Sequence, residues 1–237
     1  MVALKAFPAD FGGSLAFEVT GTHFHGENRA STESTHMIPL PTAAQLDALP
    51  ALKKSPRMPV LFLGHGSPMN AIEDNEYRRS WGLLGQELMN REVAPQLILC
   101  ISAHWLTQGW WLTAMDKPKT IHDFGGFPQP LFDQQYPAPG EPDAAQIMSE
   151  LVRQRGSQPL GLDHGQWGLD HGAWSVLKPM FPAANIPVIQ LSMDYSRAPE
   201  DHFALAQQLK ALRGRGVLIV SSGNIVHNLR AVNMQAA

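Results

Sequence analysis

Cysteine is almost missing from this 237-residue chain, in which Cys100 stands alone. A lone thiol forms no internal disulfide and no cysteine-based zinc site, so the sequence predicts a reducing, cytoplasmic setting in which any metal is held by histidine and carboxylate. No apolar run approaches the ~18 residues of a membrane span. Pro8, Asp10, Gly12 and Gly13 interrupt the N-terminus where a signal peptide would carry its apolar stretch. A basic excess is lacking too: 18 Lys and Arg against 21 Asp and Glu leave a formal charge of -3. Neither nucleic acid nor an anionic membrane is therefore an expected partner. No serine has glycine two positions before and two after it, and neither G-x-G-x-x-G nor G-x-x-x-x-G-K-[ST] occurs. These absences argue against the nucleophile elbow of α/β-hydrolases and against conventional dinucleotide or nucleotide-phosphate sites.

What remains is a chain of globular composition, 44% hydrophobic and 16% charged, of a length that suits one domain with an appendage. Residues 1–57 keep no sustained period, and His23–Thr35 is polar and rich in turn formers, so this stretch reads as an irregular extension. Within it, Thr42–Leu52 suits a short amphipathic helix capped by Thr42. From Met58 to Ala237, short apolar runs alternate with helical stretches, which predicts an α/β domain with a largely parallel sheet. Residues 59–63, 97–101, 187–191 and 217–220 read as strands covered on both faces, with weaker candidates at 110–115 and 159–162. Helices are expected over 73–87, 141–155, 173–181 and 199–212.

Ten histidines stand against 3 tyrosines, and their positions matter more than their number. The expected strands run into Gly64-His65-Gly66-Ser67, Ser102-Ala103-His104-Trp105 and Ser221 through His227, so three strand exits carry an imidazole. Carboxyl ends of parallel strands line one edge of an open sheet, where groups distant in sequence converge. One such histidine is commonly just a hydrogen-bonded loop residue, but three coincidences weaken that explanation. Neutral imidazole suits Zn, Fe, Cu or Ni, which leaves the metal open. His122, in Ile121–Pro128, and His171, in Gly168–Trp174, each sit beside a carboxylate, glycine and an aromatic. Either could move a proton. Asp170 is placed to cap a helix beginning at His171. Cys100 reads as core, and Asp194, which could supply a carboxylate ligand, reads rather as a turn residue before a helix.

With these residues in view, the sequence resembles the class III extradiol ring-cleavage dioxygenases, in the 4,5-DOPA extradiol dioxygenase branch. The motifs are LFLGHGSPMNAIEDN (61–75), SAHW (102–105), TIHDFGGFP (120–128), YPAPG (136–140), WGLDHGAWSVL (167–177) and SSGNIVHNLR (221–230), in family order. The resemblance implies a three-layer α/β/α domain with a mixed sheet. It implies metal ligation by His65, His104 and His227, acid/base roles for His227 and His171, and substrate contacts from His122, Asp123 and Ser67. It further implies a small catechol and dioxygen as substrates, with Fe(II) as the working metal and Zn(II) as an ion such a site also takes. A homo-oligomer is compatible with the sequence.

Members of that branch continue past this motif through a Trp-His pair to a late histidine of the metal site, whereas here Asn233-Met234-Gln235 leads to Ala237. The sequence thus predicts a site short of one family ligand. Three functions are expected to compete: extradiol cleavage, zinc-dependent hydrolysis on the same scaffold, and metal binding without catalysis.

Overall fold

The computed structural model describes residues 41–47, 52–154 and 158–224. The described residues belong to one compact unit. In chain order its elements are α1 (Ala43–Asp47), β1 (Val60–Gly64), a 3-10 turn (Pro68–Ala71), α2 (Glu76–Met89), β2 (Leu97–Thr107), β3 (Trp111–Thr113), β4 (Lys119–Thr120), α3 (Gln129–Phe132) and α4 (Pro142–Leu151). There follow β5 (Gly161–Asp163), β6 (Gly168–Leu169), α5 (His171–Met180), β7 (Val188–Asp194), α6 (Pro199–Leu209), a second 3-10 turn (Lys210–Arg215) and β8 (Val217–Gly223).

Six strands form one mixed sheet in the order β1-β8-β2-β7-β3-β5. The four aliphatic runs become β1, β8, β2 and β7, all mutually parallel, while β3 runs antiparallel to β7 and parallel to β5. Strand alternation divides the core in two, because successive side chains point to opposite faces. Leu97, Leu99, Val217 and Ile219 pack with α4 and α6 on one side; Ile98, Cys100, Leu218 and Val220 pack with α2 and α5 on the other. The result is a three-layer α/β/α fold. Leu97 through Cys100 are fully buried, and each such aliphatic side chain stabilises the fold by roughly 1.5–3 kcal/mol. β1 departs from the expectation of burial on both faces: it is an edge strand paired with β8 alone, and Val60 and Phe62 are 49% and 55% exposed.

Local chemistry sets the helix starts. Asn75 Oδ1 accepts the Arg78 N–H at 3.0 Å and starts α2 three residues later than expected, after the 3-10 turn. Pro142 and Pro199 occupy the first turns of α4 and α6, where the missing N–H costs little. Thr42 caps α1 through the Gln45 N–H at 3.3 Å. Leu52, 5% exposed, joins the α4–α6 side of the core.

Candidate metal centre

The carboxyl ends of β1, β8 and β2 lie side by side, and chemistry-bearing side chains gather there. His65 is the first residue beyond β1 and only 3% exposed. Its N–H donates to the Gly223 carbonyl at 3.3 Å, and its own carbonyl accepts from Asn70 Nδ2 at 3.0 Å. The turn out of the strand passes through Gly66 at φ 60, a left-handed conformation that glycine adopts without a Cβ penalty. The Gly66 N–H donates to Asn224 Oδ1 at 3.1 Å, and Ser67 caps the 3-10 turn by accepting the Met69 N–H at 3.3 Å. Backbone bonds thus fix the His65 ring, whose Nδ1 lies 2.8 Å from Ser222 Oγ.

His104 does not follow a strand, as expected, but lies within one. β2 continues to Thr107, with a register shift between Ile101 and Leu106 before it pairs again with Met193 and Asp194 of β7. The apolar run ends at Ile101, yet strand pairing continues because its β7 partner does too. The His104 N–H donates to Ser102 Oγ at 3.2 Å, and its Nε2 lies 3.2 Å from His65 Nε2. Ser102 and Ser222 are register partners across β2 and β8, so two hydroxyls sit side by side beneath two imidazoles.

The third ring arrives on a helix. Asp170 caps α5 by accepting the Ala173 N–H at 3.1 Å, which sets His171 at the first helical position, 7% exposed. The helix end approaches β2 closely enough that a Cβ on Gly172 would stand 2.5 Å from Ser102 Oγ and 2.8 Å from the His104 ring. Asp170 is fully buried, and burial pushes its carboxyl up despite bonds from Ser102 and Gln190. His171 meets Asp123 twice, through its ring Nδ1 at 2.9 Å and its backbone N–H at 2.9 Å. Burial pushes the Asp123 carboxyl up, but the hydrogen bonds and charge of His171 outweigh that and leave it below the usual carboxylate range.

One potential ligand atom from each of His65, His104 and His171 lies within 4.8 Å of the others. The His104 and His171 ring centroids are 3.9 Å apart. This donor set fits a metal ion. Two Nε2 atoms face each other at short range, while the Nδ1 atoms of His65 and His171 are engaged by a hydroxyl and a carboxylate, the outer support that ligating histidines usually have. Imidazole suits both iron and zinc, so the donor set does not choose between them.

Of the remaining expected residues, His227 lies outside the described residues. His122 turns its Nε2 to the Gln134 carbonyl at 2.9 Å and packs among Phe124, Phe132 and Trp174. Asp123 faces His171, and Ser67 is an exposed cap. Asp194 takes the turn role, accepting from Ser196 N at 2.9 Å. Sequence reasoning passed over Ser102, Ser222 and Gln190 as individual supports. Their signal was a small hydroxyl or amide within an aliphatic strand, with Ser102 two residues before His104.

Residues 59–237 match the family model described as the catalytic LigB subunit of aromatic ring-opening dioxygenase. The chain belongs to the LigB family. Similar proteins include 4,5-DOPA dioxygenase extradiol of Escherichia coli (strain K12), 54% identical over 181 residues, covering 76% of this chain and 64% of the relative. Another is 4,5-DOPA dioxygenase extradiol of Beta vulgaris, 39% identical over 176 residues, covering 70% and 61%. The crystal structure of an uncharacterized Escherichia coli K12 protein superposes with a TM-score of 0.62 at 46% identity, covering 76% of this chain and 66% of that one. This LigB-family chain thus spans about three fifths of the curated relatives' length, at 64% and 61%. The matched span includes all three clustered histidines.

Proposed function

We propose that this chain carries the core of a metal-dependent extradiol dioxygenase, which inserts both atoms of O2 into a small, DOPA-like catechol and breaks the ring bond adjacent to, and outside, the diol. The observation that carries the reading is the convergence of His65, His104 and His171 at one sheet edge, in a chain of the LigB family. His65 and His104 hold the metal, and His227, on the segment following β8, is assigned to the same ion. When bound, Fe(II) supplies the electron density O2 needs and eases catechol deprotonation, whereas d¹⁰ Zn(II) supports only the second. His171 then takes a proton from the substrate hydroxyl at Nε2, the ring nitrogen turned away from Asp123, and returns it as the ring opens. Both atoms of O2 remain in the product as aldehyde and carboxylate oxygens. The segments bearing Ser67 and His122 are the proposed walls for the catechol. The single, fully buried cysteine supports a cytoplasmic location.

One observation favours a second reading. A set of three imidazoles is also a catalytic zinc set, with water as the fourth ligand, which would make the chain a hydrolase and His171 a ligand. Anaerobic loading with Fe(II), followed by DOPA and air, separates the two. Ring cleavage predicts one O2 consumed per catechol with a yellow product. Oxygen-independent ester or amide turnover by the zinc form, with no O2 uptake, would favour hydrolysis. Metal binding without either reaction would leave a non-catalytic site.

A further inference from the structure

We infer that Asp123 is a positioning residue, which locks the His171 ring as its Nδ1–H tautomer and so reserves Nε2 as the face presented to metal or substrate. The role of that face rests on the ring-cleavage reading; the lock itself does not. It reassigns Asp123 from the substrate to the protein.

The geometry is unusually restrictive. Both bonds from His171 end on the same oxygen: Oδ1 accepts the backbone N–H at 2.9 Å and meets ring Nδ1 at 2.9 Å. The backbone donor cannot change its protonation, so it holds Oδ1 in place as an acceptor. The ring nitrogen against that oxygen must then carry the proton, and the neutral imidazole keeps its lone pair on Nε2. The second oxygen, Oδ2, faces His104 Nδ1 at 3.9 Å, beyond hydrogen-bond reach.

The loop carrying the carboxylate is tied down at Ile121, two residues before it. The Ile121 N–H donates to the Leu169 carbonyl at 2.8 Å, and the Ile121 carbonyl accepts Trp174 Nε1–H at 2.8 Å, which joins the loop to β6 and to α5. Phe124 stands edge-on against the His171 ring, with centroids 5.5 Å apart and planes at 87°, so the ring is braced by an aromatic as well as a hydrogen bond. A flip of the imidazole would trade the Asp123 bond for a C–H and cost the carboxylate its ring donor.

The test needs neither metal nor substrate. The metal-free chain is labelled with ¹⁵N-histidine, and two-bond ¹H–¹⁵N correlations are recorded well above the ordinary histidine range of about 6.5, with His171→Gln identifying the signals. The expected wild-type pattern is a protonated Nδ1 and an unprotonated Nε2. Asp123→Ala is expected to shift His171 towards the Nε2–H form that free neutral histidine favours, while the amide spectrum of the sheet stays in place. Asp123→Asn, which keeps an oxygen for the backbone N–H to orient, is expected to retain Nδ1–H. An Nε2–H wild type, an unchanged tautomer in Asp123→Ala, or a switch in Asp123→Asn would each overturn the inference. Should Asp123→Ala not fold, the wild-type and Asp123→Asn spectra still decide. Failure of ring cleavage with the tautomer intact would refute only the functional reading, and the converse result only the lock.

Discussion

At the scale of single residues, the proposed cation would lie between His65, at a strand exit, and His104, in a strand interior. His65→Ala and His104→Ala are each expected to abolish stoichiometric retention of Fe(II) or Zn(II) while circular dichroism stays that of the folded sheet; full metal content in either variant would remove that residue from the site. Ser222→Ala deprives His65 Nδ1 of its 2.8 Å partner and is expected to weaken metal affinity about 10–100-fold, the usual cost of losing an outer-shell partner, measured by competition with a chelator. Cys100 is fully buried, and burial pushes its thiol well above the ordinary cysteine range. It is therefore expected to resist alkylation until the protein unfolds. His65 and His104 were legible because each follows an aliphatic run that reads as a strand, and His171 because it stands between Asp170 and Gly172. Ser102, Ser222 and Gln190 were not, since a serine or glutamine in a strand acquires a role only when its register partner is known. Asp123 was legible as a site residue, but the two bonds that turn it towards His171 belong to the folded loop.

At the scale of elements, β2 carries the instructive difference. Its aliphatic half, 97–101, announces a buried strand, while the polar half through Thr107 is held by pairing with β7. Backbone hydrogen bonding does not require apolar side chains, so the strand outlasts its hydrophobic signal and brings His104 up beside His65. Helix α5 was more fully readable: Asp170 is its cap, as residue type and position implied. What the sequence did not disclose was the closeness of its first turn to β2. Gly172→Ala would push a methyl against Ser102 Oγ and the His104 ring. The expected cost is about 1–3 kcal/mol of stability by denaturant titration, as for other overpacked sites, together with weaker metal binding. An unchanged midpoint would show that the helix shifts freely.

At the scale of the whole molecule, the three layers were legible from the alternation of apolar runs with helical stretches. The edge position of β1, with Val60 and Phe62 exposed, was not, because an aliphatic run does not say how many of its faces find cover. The fold places the candidate centre at the carboxyl edge of β1, β8 and β2, so acid should empty the site before it unfolds the sheet. Ligand imidazoles must be neutral, so protons compete with the metal and retention is expected to fall as the solution is acidified. Asp123 acts lower on the scale. Its carboxyl is held below the usual range in the fold, so its contribution to stability is present above the unfolded value and lost as pH falls through the lowered one. Asp123→Asn should therefore flatten that acid limb of the stability curve.

The most direct measurement is X-ray absorption at the iron edge of Fe(II)-loaded protein, compared with the His65→Ala and His104→Ala variants. Imidazole scattering from at least two histidines in the wild type, with metal lost from both variants, is the predicted result. Iron bound without imidazole scattering, or retained with an unchanged spectrum in either variant, would contradict a cation held between β1 and β2.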